Sequence, residues 1–356
     1  MARLTHPERI ALLLVAVLTL LAGLARYEEW PAVPRFALAT LALAGLAWVV
    51  SFATEQLGER IGPGVTGMLQ STLGNLPELF VVIFALQKGE LIVAQTAIVG
   101  SILANALLVL GLVVVVGARR EPDGVMRFSK RLPRDTATLL YVTVFIIVLL
   151  GISLAAHDPA SHHVETISIV GAVCLLVVYL AWVGPYLRSD PRPEAGEGGF
   201  RPTPRLSLAF TIGLLLVTGT AAAFVSEWFI DALEPAIETL NLSQAFAGLV
   251  IVAIAGNAVE NTAGLVLAAK GRSELAISVV KNSVAQIAAF LFPLLVLVSL
   301  ALSTTLTFAL APIYIGALAL TALSLEQVTG DGEAAAFEGW ALVALYVVLA
   351  TFTLFE

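Results

Sequence analysis

Long apolar runs, spread along the whole chain, are the feature that most constrains how this sequence folds. A membrane-spanning helix needs about 20 predominantly apolar residues, and the sequence offers about eleven such stretches, separated by Pro, Gly and charge clusters. Hydrophobic residues make up 59% of the 356 residues and charged residues only 13%, whereas an average soluble domain is about 25% charged. The sequence therefore predicts an all-α polytopic membrane protein. It excludes a soluble enzyme, a disordered chain and a nucleic-acid-binding protein.

The apolar runs define the predicted transmembrane helices and the organisation of the chain. The helices are placed near residues 10–25, 36–54, 63–87, 91–117, 136–155, 164–186, 206–226, 244–269, 275–300, 304–323 and 339–355. The longest interruption, residues 189–204, is rich in Pro, Gly and charge, which is typical of a linker. We predict an N-terminal transmembrane helix in residues 1–30, a first five-helix repeat in 31–188, a cytoplasmic linker in 189–204 and a second, inverted five-helix repeat in 205–356.

The distribution of Lys and Arg predicts the orientation of the chain. With the N-terminus inside, fifteen of the 19 basic residues fall in cytoplasmic segments and three in outer segments, while Lys281 lies within a predicted helix. The positive-inside rule then places the N-terminus in the cytoplasm and the C-terminus outside, which requires an odd number of helices. We expect a multi-pass protein of the cell (inner) membrane of a prokaryote.

Several acidic residues fall near the predicted helix ends. Asp231, Glu234 and Glu238 follow the seventh predicted helix and are placed in an outer loop, where they either concentrate cations or are simply solvated. Glu55 and Glu227 occupy corresponding parts of the two halves. Whether these two line an access path or only lie at the membrane interface stays open.

One motif occurs twice in the chain. Gly-Asn-x-x-Glu is found at residues 74–78 and again at 256–260, an offset of 182 residues. The same offset relates the Lys-Gly pairs at 88–89 and 270–271, and it relates Ser101 to Ser283. An offset maintained over about 25 residues indicates an internal duplication. Because each copy holds an odd number of helices, the two copies are inverted across the membrane, as in alternating-access transporters.

The motif glutamates predict a polar site inside the membrane. Glu78 and Glu260 lie about half-way along their helices, where a charged side chain costs at least a few kcal/mol and normally faces a cavity or a partner. Asn75 and Asn257 lie three residues before them and therefore on the same helix faces. A helix-packing role for either glutamate is the simpler alternative, but two matching positions make it less favoured.

Further oxygen-bearing side chains reach a similar depth. Ser101 and Ser283 follow the hairpin turns by about twelve residues, which brings them level with the glutamates at about 1.5 Å per residue. Gln286 and Asn105 follow on the same helices and are either ligands or interhelical hydrogen-bonding residues. The serines are either ligands or small residues at helix contacts.

Carboxylate, amide and hydroxyl oxygens are the ligands that Ca²⁺ prefers. The set contains neither Cys nor His, which disfavours Zn²⁺ and Cu⁺. We therefore predict a cation site with Glu78, Glu260, Asn75 and Asn257 as metal ligands. Two carboxylates at one site bind either a divalent cation or protons, and this competition is the chemistry of an antiporter.

The two motif copies resemble the cation/proton exchanger (CAX) family of the calcium/cation antiporter superfamily. The segments that carry the resemblance are GNLPELFVVIFALQKGELIVAQTAIVGSILANALLVLG and SEWFIDALEPAIETLNLSQAFAGLVIVAIAGNAVEN. The resemblance implies that Glu78 and Glu260 bind Ca²⁺ and exchange it for H⁺, supported by Asn75 and Asn257. Sodium/calcium exchangers usually carry Ser or Thr at these two Asn positions, so the resemblance favours H⁺ as the counter-ion.

Lys281 departs both from that family and from the internal repeat. The family has a Gly-Ser-Ser stretch near this position, and the counterpart of Lys281 in the first copy is Val99. Its depth matches that of Glu260 across the hairpin. Two interpretations stay open: Lys281 pairs with Glu260 and competes with Ca²⁺, or it packs against another helix or a wet pocket.

The predicted function is a secondary antiporter that exchanges Ca²⁺ for H⁺ by alternating access. The alternatives are an antiporter of the same architecture for Na⁺ or K⁺ against H⁺, a Na⁺/Ca²⁺ antiporter, and a channel or non-transporting membrane scaffold. No G-x-x-x-x-G-K-[ST] motif occurs, so no ATP-driven pump is expected. We expect no enzyme activity, no organic cofactor and no nucleic-acid partner. Ca²⁺ is expected as substrate, H⁺ and the lipid bilayer as partners, and a homo-oligomer stays open.

Overall fold

The computed structural model describes residues 4–61, 73–129, 131–188 and 205–356, with side chains throughout except at 58–61, 131–134, 186–188, 259 and 260. The α-helices in chain order are α1 His6–Tyr27, α2 Ala32–Ile61, α3 Leu76–Gln87, α4 Leu91–Leu103, α5 Leu110–Ala118, α6 Arg131–Ala156, α7 Val164–Arg188, α8 Leu208–Leu240, α9 Gln244–Phe246, α10 Ala253–Gly256, α11 Ala258–Ala269, α12 Ser273–Gln286, α13 Phe292–Ser299, α14 Pro312–Thr329 and α15 Ala336–Leu354. The predicted linker 189–204 and the start of the third predicted helix lie outside the described residues.

Short irregular segments interrupt this helical chain. In the described residues, the π-helical segments Ala104–Val109, Ala247–Val252 and Ile287–Leu291 join α4 to α5, α9 to α10 and α12 to α13. A 3₁₀ helix spans Pro159–His163, and the strands β1 Val125–Arg127 and β2 Glu333–Ala335 pair antiparallel, with Met126 opposite Ala334. A π-helix is rare, occurs mostly as a single turn within an α-helix and is frequently found at functional sites.

The described helices confirm a polytopic all-α membrane protein. Eight of them, counting helices joined through a π segment as one, are long and apolar enough to cross a membrane. The number is nine if the pair Gln244–Gly256 and Asn261–Ala269, bent by 56°, forms one span. Helices α3 and α14 occupy two further predicted positions but do not meet the same criterion in the described residues, so the predicted count of eleven is not established.

The seventh predicted helix, 206–226, is too short. Helix α8 continues to Leu240, so Asp231, Glu234 and Glu238 lie within a helix and not in an outer loop, and that prediction is wrong. Apolar residues with helical spacing continue past residue 226 and are buried: Phe229, Ile230, Leu233, Ala236 and Ile237. The helix ends where Asn241 adopts a left-handed conformation, with φ of 52°.

The tenth predicted helix, 304–323, begins too early. Helix α14 starts at Pro312 and runs to Thr329. Pro fits the first turn of a helix because its missing N–H needs no partner there. Residues 304–311 are not helical: the Leu306 N–H donates to Ser299 Oγ at 2.8 Å and the Phe308 N–H donates to Ser168 Oγ at 3.1 Å. Side-chain hydroxyls therefore satisfy a buried backbone that lacks helical hydrogen bonds.

The chain divides into two compact units. The first unit contains residues 1–81 and 180–241, and the second contains residues 82–179 and 242–356. Each unit therefore takes residues from both predicted halves of the sequence. The division of the chain into two inverted repeats stays a prediction, because the compact units follow contacts and not sequence similarity.

The first unit is built on α2 and α8, which pack against each other along much of their length, with α1 against both. The rings of Phe36 and Phe229 lie 5.0 Å apart in this contact. Near one end, Arg26 and Asp231 form an ion pair at 2.6 Å. The carboxylate of Asp231, which the sequence placed in a loop, thus links α8 to α1.

The second unit depends on close approaches between helix backbones. A Cβ atom at Gly100 of α4 would lie 2.4 Å from the backbone oxygen of Leu249 in the second π segment. A Cβ atom at Gly111 of α5 would lie 2.6 Å from the backbone oxygen of Gly339 of α15, and a Cβ atom at Gly339 would lie 2.6 Å from the backbone oxygen of Gly111. Small residues at such contacts are typical of helix pairs in membranes.

Local backbone features recur at the offset of the sequence motif. The helical geometry is interrupted at Asn75 and at Asn257. Gly89 and Gly271 both have positive φ, 84° and 71°, in the turns that follow. The π segments Ala104–Val109 and Ile287–Leu291 overlap when they are shifted by the same offset. These coincidences support the predicted duplication.

The Gly100 contact generates a stability prediction. Gly100→Ala forces a methyl group into the backbone of Leu249, and such overpacking costs about 1–3 kcal/mol. We expect a lower thermal midpoint of the detergent-solubilised protein, measured by tryptophan fluorescence. Gly213→Ala, in α8 with no atom within 4 Å of the new methyl group, is the matched control and should not lower the midpoint. Equal midpoints for both variants would contradict the prediction.

Candidate functional site

The first motif copy lies at the start of α3 and contributes to the first unit. Asn75 directly precedes the helix and Glu78 is its third residue, and both side chains are buried, with exposed fractions of 5% and 0%. Pro77 is tolerated because it lies in the first turn, and its carbonyl oxygen accepts a hydrogen bond from Ser226 Oγ at 3.4 Å. A carboxylate in the first turn is also favoured by the helix dipole. The sequence thus folds so that a buried acid begins a helix inside an apolar run.

The second motif copy has the same local arrangement in the second unit. Asn257 directly precedes α11, and Glu260 is the third residue of that helix. The side chain of Glu260 lies outside the described part of the structure. Asn257 is fully buried. The repeated placement of an Asn at a helix break and a Glu in the following turn is the local structure that the shared motif encodes.

A hydrogen-bonded amide network surrounds Asn257. Its Oδ1 accepts from Asn105 Nδ2 at 2.9 Å, and its Nδ2 donates to Ser101 Oγ and to the Ala253 carbonyl, each at 2.9 Å. Asn105 Nδ2 also donates to the Ser101 carbonyl at 3.0 Å. Ser101, Asn105 and Asn257 are all fully buried. The structure therefore brings together three of the polar residues singled out from the sequence.

Some buried oxygen atoms of residues singled out from the sequence have no hydrogen-bond partner among the described residues. They are Asn105 Oδ1, Ser283 Oγ and Gln286 Oε1, and in the first unit Asn75 Oδ1. Buried polar atoms are nearly always paired, so an orphaned acceptor needs an explanation such as an ion or water. Amide and hydroxyl oxygens suit a hard cation. These atoms therefore support the predicted oxygen-rich cation site.

In the described residues, clusters of His, Cys, Asp and Glu side chains do not by themselves form a cation site. No group of three or more His, Cys, Asp or Glu side chains comes together there. A cation bound by the motif glutamates would thus need neutral oxygens to complete six to eight ligands. The network around Asn257 offers such oxygens in the second unit.

Lys281 is fully buried on α12, and its ammonium donates a hydrogen bond to Thr329 Oγ1 at the end of α14. The carboxylate of Glu326, one turn earlier on α14, acts electrostatically on this ammonium. The described contacts favour the interpretation that Lys281 packs against another helix. Its predicted pairing with Glu260 stays a prediction, since that side chain lies outside the described residues.

Glu326 and Thr329 were not predicted from the sequence. The tenth predicted helix ends at residue 323, which leaves both residues in a loop. An acid three residues before a Thr, in the apolar sequence LSLEQVT, is the signal that would have placed them on one helix face.

Three further polar residues, Gln95, Glu55 and Glu227, lie on helices of the two units. Gln95 Nε2 on α4 donates to the Ala309 carbonyl at 3.0 Å, which links this helix to the non-helical segment 304–311. Glu55 is exposed on α2 and Glu227 is half-buried on α8. A place for these two glutamates on an access path stays a prediction.

Known proteins match most of this chain. The family described as sodium/calcium exchanger protein matches residues 32–184 and 210–355. The Ca(2+)/H(+) antiporter of Aphanothece halophytica is 30% identical over 342 residues, which cover 92% of this chain and 91% of the relative. The vacuolar calcium ion transporter of Schizosaccharomyces pombe is 32% identical over 338 residues, covering 92% of this chain and 81% of the relative.

A solved structure shows the same fold. The structure of native YfkE superimposes with a TM-score of 0.81 at 26% sequence identity, and it covers 97% of this chain and 100% of that chain. The similarity extends through both predicted halves and is not confined to the motif copies. It confirms the prediction of a polytopic membrane-transporter fold.

The different surroundings of the two serines generate a prediction. Ser101→Ala removes the acceptor of the Asn257 amide, and a buried donor left unsatisfied costs about 1–3 kcal/mol. Ser283→Ala removes an oxygen that accepts no described hydrogen bond. In cation-free protein, we expect the first variant to lower the thermal midpoint clearly and the second to leave it nearly unchanged. Equal losses in the two variants would contradict the described network.

Proposed function

Because the chain belongs to the sodium/calcium exchanger protein family, we propose that it is a secondary antiporter that exchanges Ca²⁺ for H⁺ across a membrane by alternating access. Two relatives that cover about nine tenths of the chain support Ca²⁺ as the transported ion, since their names specify a Ca(2+)/H(+) antiporter and a calcium ion transporter. The family's own description names sodium, so the counter-ion has to be argued from the residues.

One observation carries the proposal: the second unit buries the amide and hydroxyl network around Asn257 together with the orphaned oxygens of Asn105, Ser283 and Gln286. An apolar membrane core that buries these groups without a ligand loses free energy for each unpaired atom. A hard cation that binds to them recovers that cost. The motif glutamates, of which Glu78 is fully buried, are proposed to supply the negative charge that such a cation requires.

The exchange step follows from the charge of the motif carboxylates. Glu78 and Glu260, with Asn75 and Asn257, are proposed to bind Ca²⁺ when the carboxylates are deprotonated. Protons on the same carboxylates cancel the charge and release the ion. A site that holds either two protons or one Ca²⁺ stays near electrical neutrality in both loaded forms. This neutrality lowers the free-energy cost of moving the loaded site between its two access states, since an unbalanced charge inside the membrane is costly.

The Asn residues of the motif favour H⁺ as the counter-ion, because sodium/calcium exchangers usually carry Ser or Thr at these two positions. An amide side chain offers one strong acceptor oxygen and two donors. In the structure, the donors of Asn257 are used within the protein. The same architecture with Na⁺ as counter-ion, or with Na⁺ or K⁺ in place of Ca²⁺, is the alternative that the transport assay below distinguishes.

The apolar helices place the chain in a membrane. We propose the cell membrane of a prokaryote, with the N-terminus in the cytoplasm and the C-terminus outside, on the basis of the Lys and Arg distribution. Ca²⁺, H⁺ and lipid are the proposed partners, the chain acts as a transporter and not as a catalyst, and no organic cofactor is needed for this chemistry. Self-association stays open.

The decisive experiment is Ca²⁺ transport by the full chain in proteoliposomes with an imposed pH gradient. We expect saturable Ca²⁺ uptake coupled to proton movement in the opposite direction, followed by ⁴⁵Ca²⁺ and by a trapped pH dye, and lost with a protonophore. Uptake driven by a Na⁺ gradient alone would support sodium/calcium exchange. Conductive Ca²⁺ flux without counter-transport would indicate a channel and overturn the proposal.

The motif glutamates generate a prediction about exchange. Glu78→Gln and Glu260→Gln each remove a full charge from a low-dielectric site, which costs several kcal/mol of cation binding. We expect either variant to abolish exchange in the proteoliposome assay while remaining folded. Glu165→Gln, at an exposed position in the first turn of α7, is the matched control. Exchange at the wild-type rate in either motif variant would remove the motif from the mechanism.

Proton competition generates a second prediction. Ca²⁺ binding to carboxylates requires them to be deprotonated, so affinity should fall as pH falls. The expected loss is up to about tenfold per pH unit for each proton displaced. Isothermal titration of the solubilised protein with Ca²⁺ between about pH 8 and 5 measures this loss. A constant affinity across that range would rule out proton competition at the site.

A further inference from the structure

Lys281 is a buried basic residue that has no role in the proposed exchange mechanism. A cation site in the membrane should repel a nearby fixed positive charge, yet this chain buries an ammonium completely on α12. The same helix carries Ser283 and Gln286, whose orphaned oxygens belong to the candidate site. In the internal repeat the corresponding residue is the apolar Val99, so the lysine is peculiar to the second copy.

Helix geometry places the ammonium close to the site but directed away from it. Lys281 lies two residues before Ser283, which is about 3 Å along the helix axis and about 200° around it. The two side chains therefore share a depth and leave opposite sides of α12. The hydrogen bond from the Lys281 ammonium to Thr329 Oγ1 shows what the lysine faces. Thr329 is oriented to accept it, because its own hydroxyl donates to the Leu325 carbonyl at 2.6 Å.

The acid that balances this charge lies on the same helix as Thr329. Glu326 is three residues before Thr329 and therefore on the same face of α14. An ideal Cβ atom built at Gly330, the next residue, would lie 2.8 Å from Glu326 Oε1. The carboxylate thus folds back toward the end of α14, where the ammonium is bound. In the described residues, Glu326 is the acidic side chain whose charge acts on Lys281.

Glu326 also lines an open cleft of about 900 Å³, together with Tyr141, Gln327 and Asp331. A carboxylate that is only half-buried loses less solvation than a completely buried one, which lowers the free-energy cost of keeping it charged. The ammonium of Lys281 is thus fully buried, and its counter-charge lies at the edge of a cleft.

We propose that Glu326 cancels the field of Lys281 at the cation site, and that these two opposite charges together set how strongly the site holds Ca²⁺. The inference rests on the proposed Ca²⁺ exchange and adds two residues that act on the bound ion through space. Neither residue is a ligand. Removing Glu326 leaves an uncompensated positive charge beside the site, and removing Lys281 leaves an uncompensated negative one. The two single changes therefore act on Ca²⁺ affinity in opposite directions.

The test is a double-mutant cycle read by Ca²⁺ titration at one fixed pH. We expect Glu326→Gln to weaken Ca²⁺ binding roughly tenfold or more, because even at about 20 Å from a divalent ion a unit charge changes the affinity by about this factor at an effective dielectric of about 20. We expect Lys281→Met to tighten binding by a similar factor. The double variant should return to within about threefold of the wild-type affinity.

Matched variants separate charge from packing. Thr329→Val removes the hydrogen bond without changing any charge, and it should lower the thermal midpoint while shifting Ca²⁺ affinity far less than either charge variant. Lys270→Met and Glu165→Gln make the same changes of charge at exposed positions and should shift affinity less than twofold. A purely structural role for the pair would make both single variants less stable and move their affinities in the same direction.

The outcomes distinguish this inference from the proposed function. Wild-type protein that neither binds nor exchanges Ca²⁺ overturns the proposed function and the inference with it. Wild-type exchange with single variants that shift affinity in the same direction, or with a double variant no closer to wild type, overturns the inference alone. If Lys281→Met gives no folded protein, Glu326→Gln decides the matter, since unchanged or tighter binding in that variant contradicts the proposal.

Discussion

A polar group inside a membrane helix must find its partner within the protein, and the centre of the second unit depends on this constraint. The backbone there departs from the α-helix at Asn257 and in the π segments, and buried side chains donate further hydrogen bonds to its carbonyls. Asn257 and Asn105 each donate to a carbonyl four residues earlier, and Thr143 donates to the carbonyl of Ala288 within the third π segment. The amides that support the irregular backbone also carry the oxygens of the candidate cation site.

The sequence predicted the parts of the structure that depend on composition and on short-range pattern. Apolar runs located helices at the predicted positions, and the repeated motif identified Asn257 and Ser101 before their hydrogen bond was seen. Errors arose where tertiary contacts decide the outcome. From the sequence, the acids at the end of α8 indicate a loop, whereas in the structure they lie in a helix and Asp231 forms an ion pair with Arg26. The apolar sequence of residues 304–311 predicts a helix, whereas in the structure the hydroxyls of Ser299 and Ser168 accept hydrogen bonds from backbone N–H groups of a non-helical segment.

The direction of Lys281 illustrates a second limit of sequence reasoning. Counting residues from a turn fixes depth along a helix, because the rise per residue is constant. It does not fix which neighbour the side chain meets, since that depends on how the whole helix is rotated in its bundle. Depth alone suggested Glu260, whereas the described contacts of the lysine are with α14. The two copies share backbone features, but their side chains differ: Lys281 corresponds to Val99 and Gln286 to Ala104.

The π segment Ala104–Val109 lies between a polar part and a closely packed part of one membrane helix. On one side of it, Ser101 belongs to the polar network, and on the other, Gly111 touches the backbone of Gly339. One residue of an α-helix corresponds to a rotation of about 100°, so a π segment with its extra residue acts as a phase shift between the two ends of one membrane helix. The polar end and the close-packed end can each face their own neighbours. A single-residue deletion within 104–109 would therefore misalign one of these surfaces although every contact residue remained in the chain.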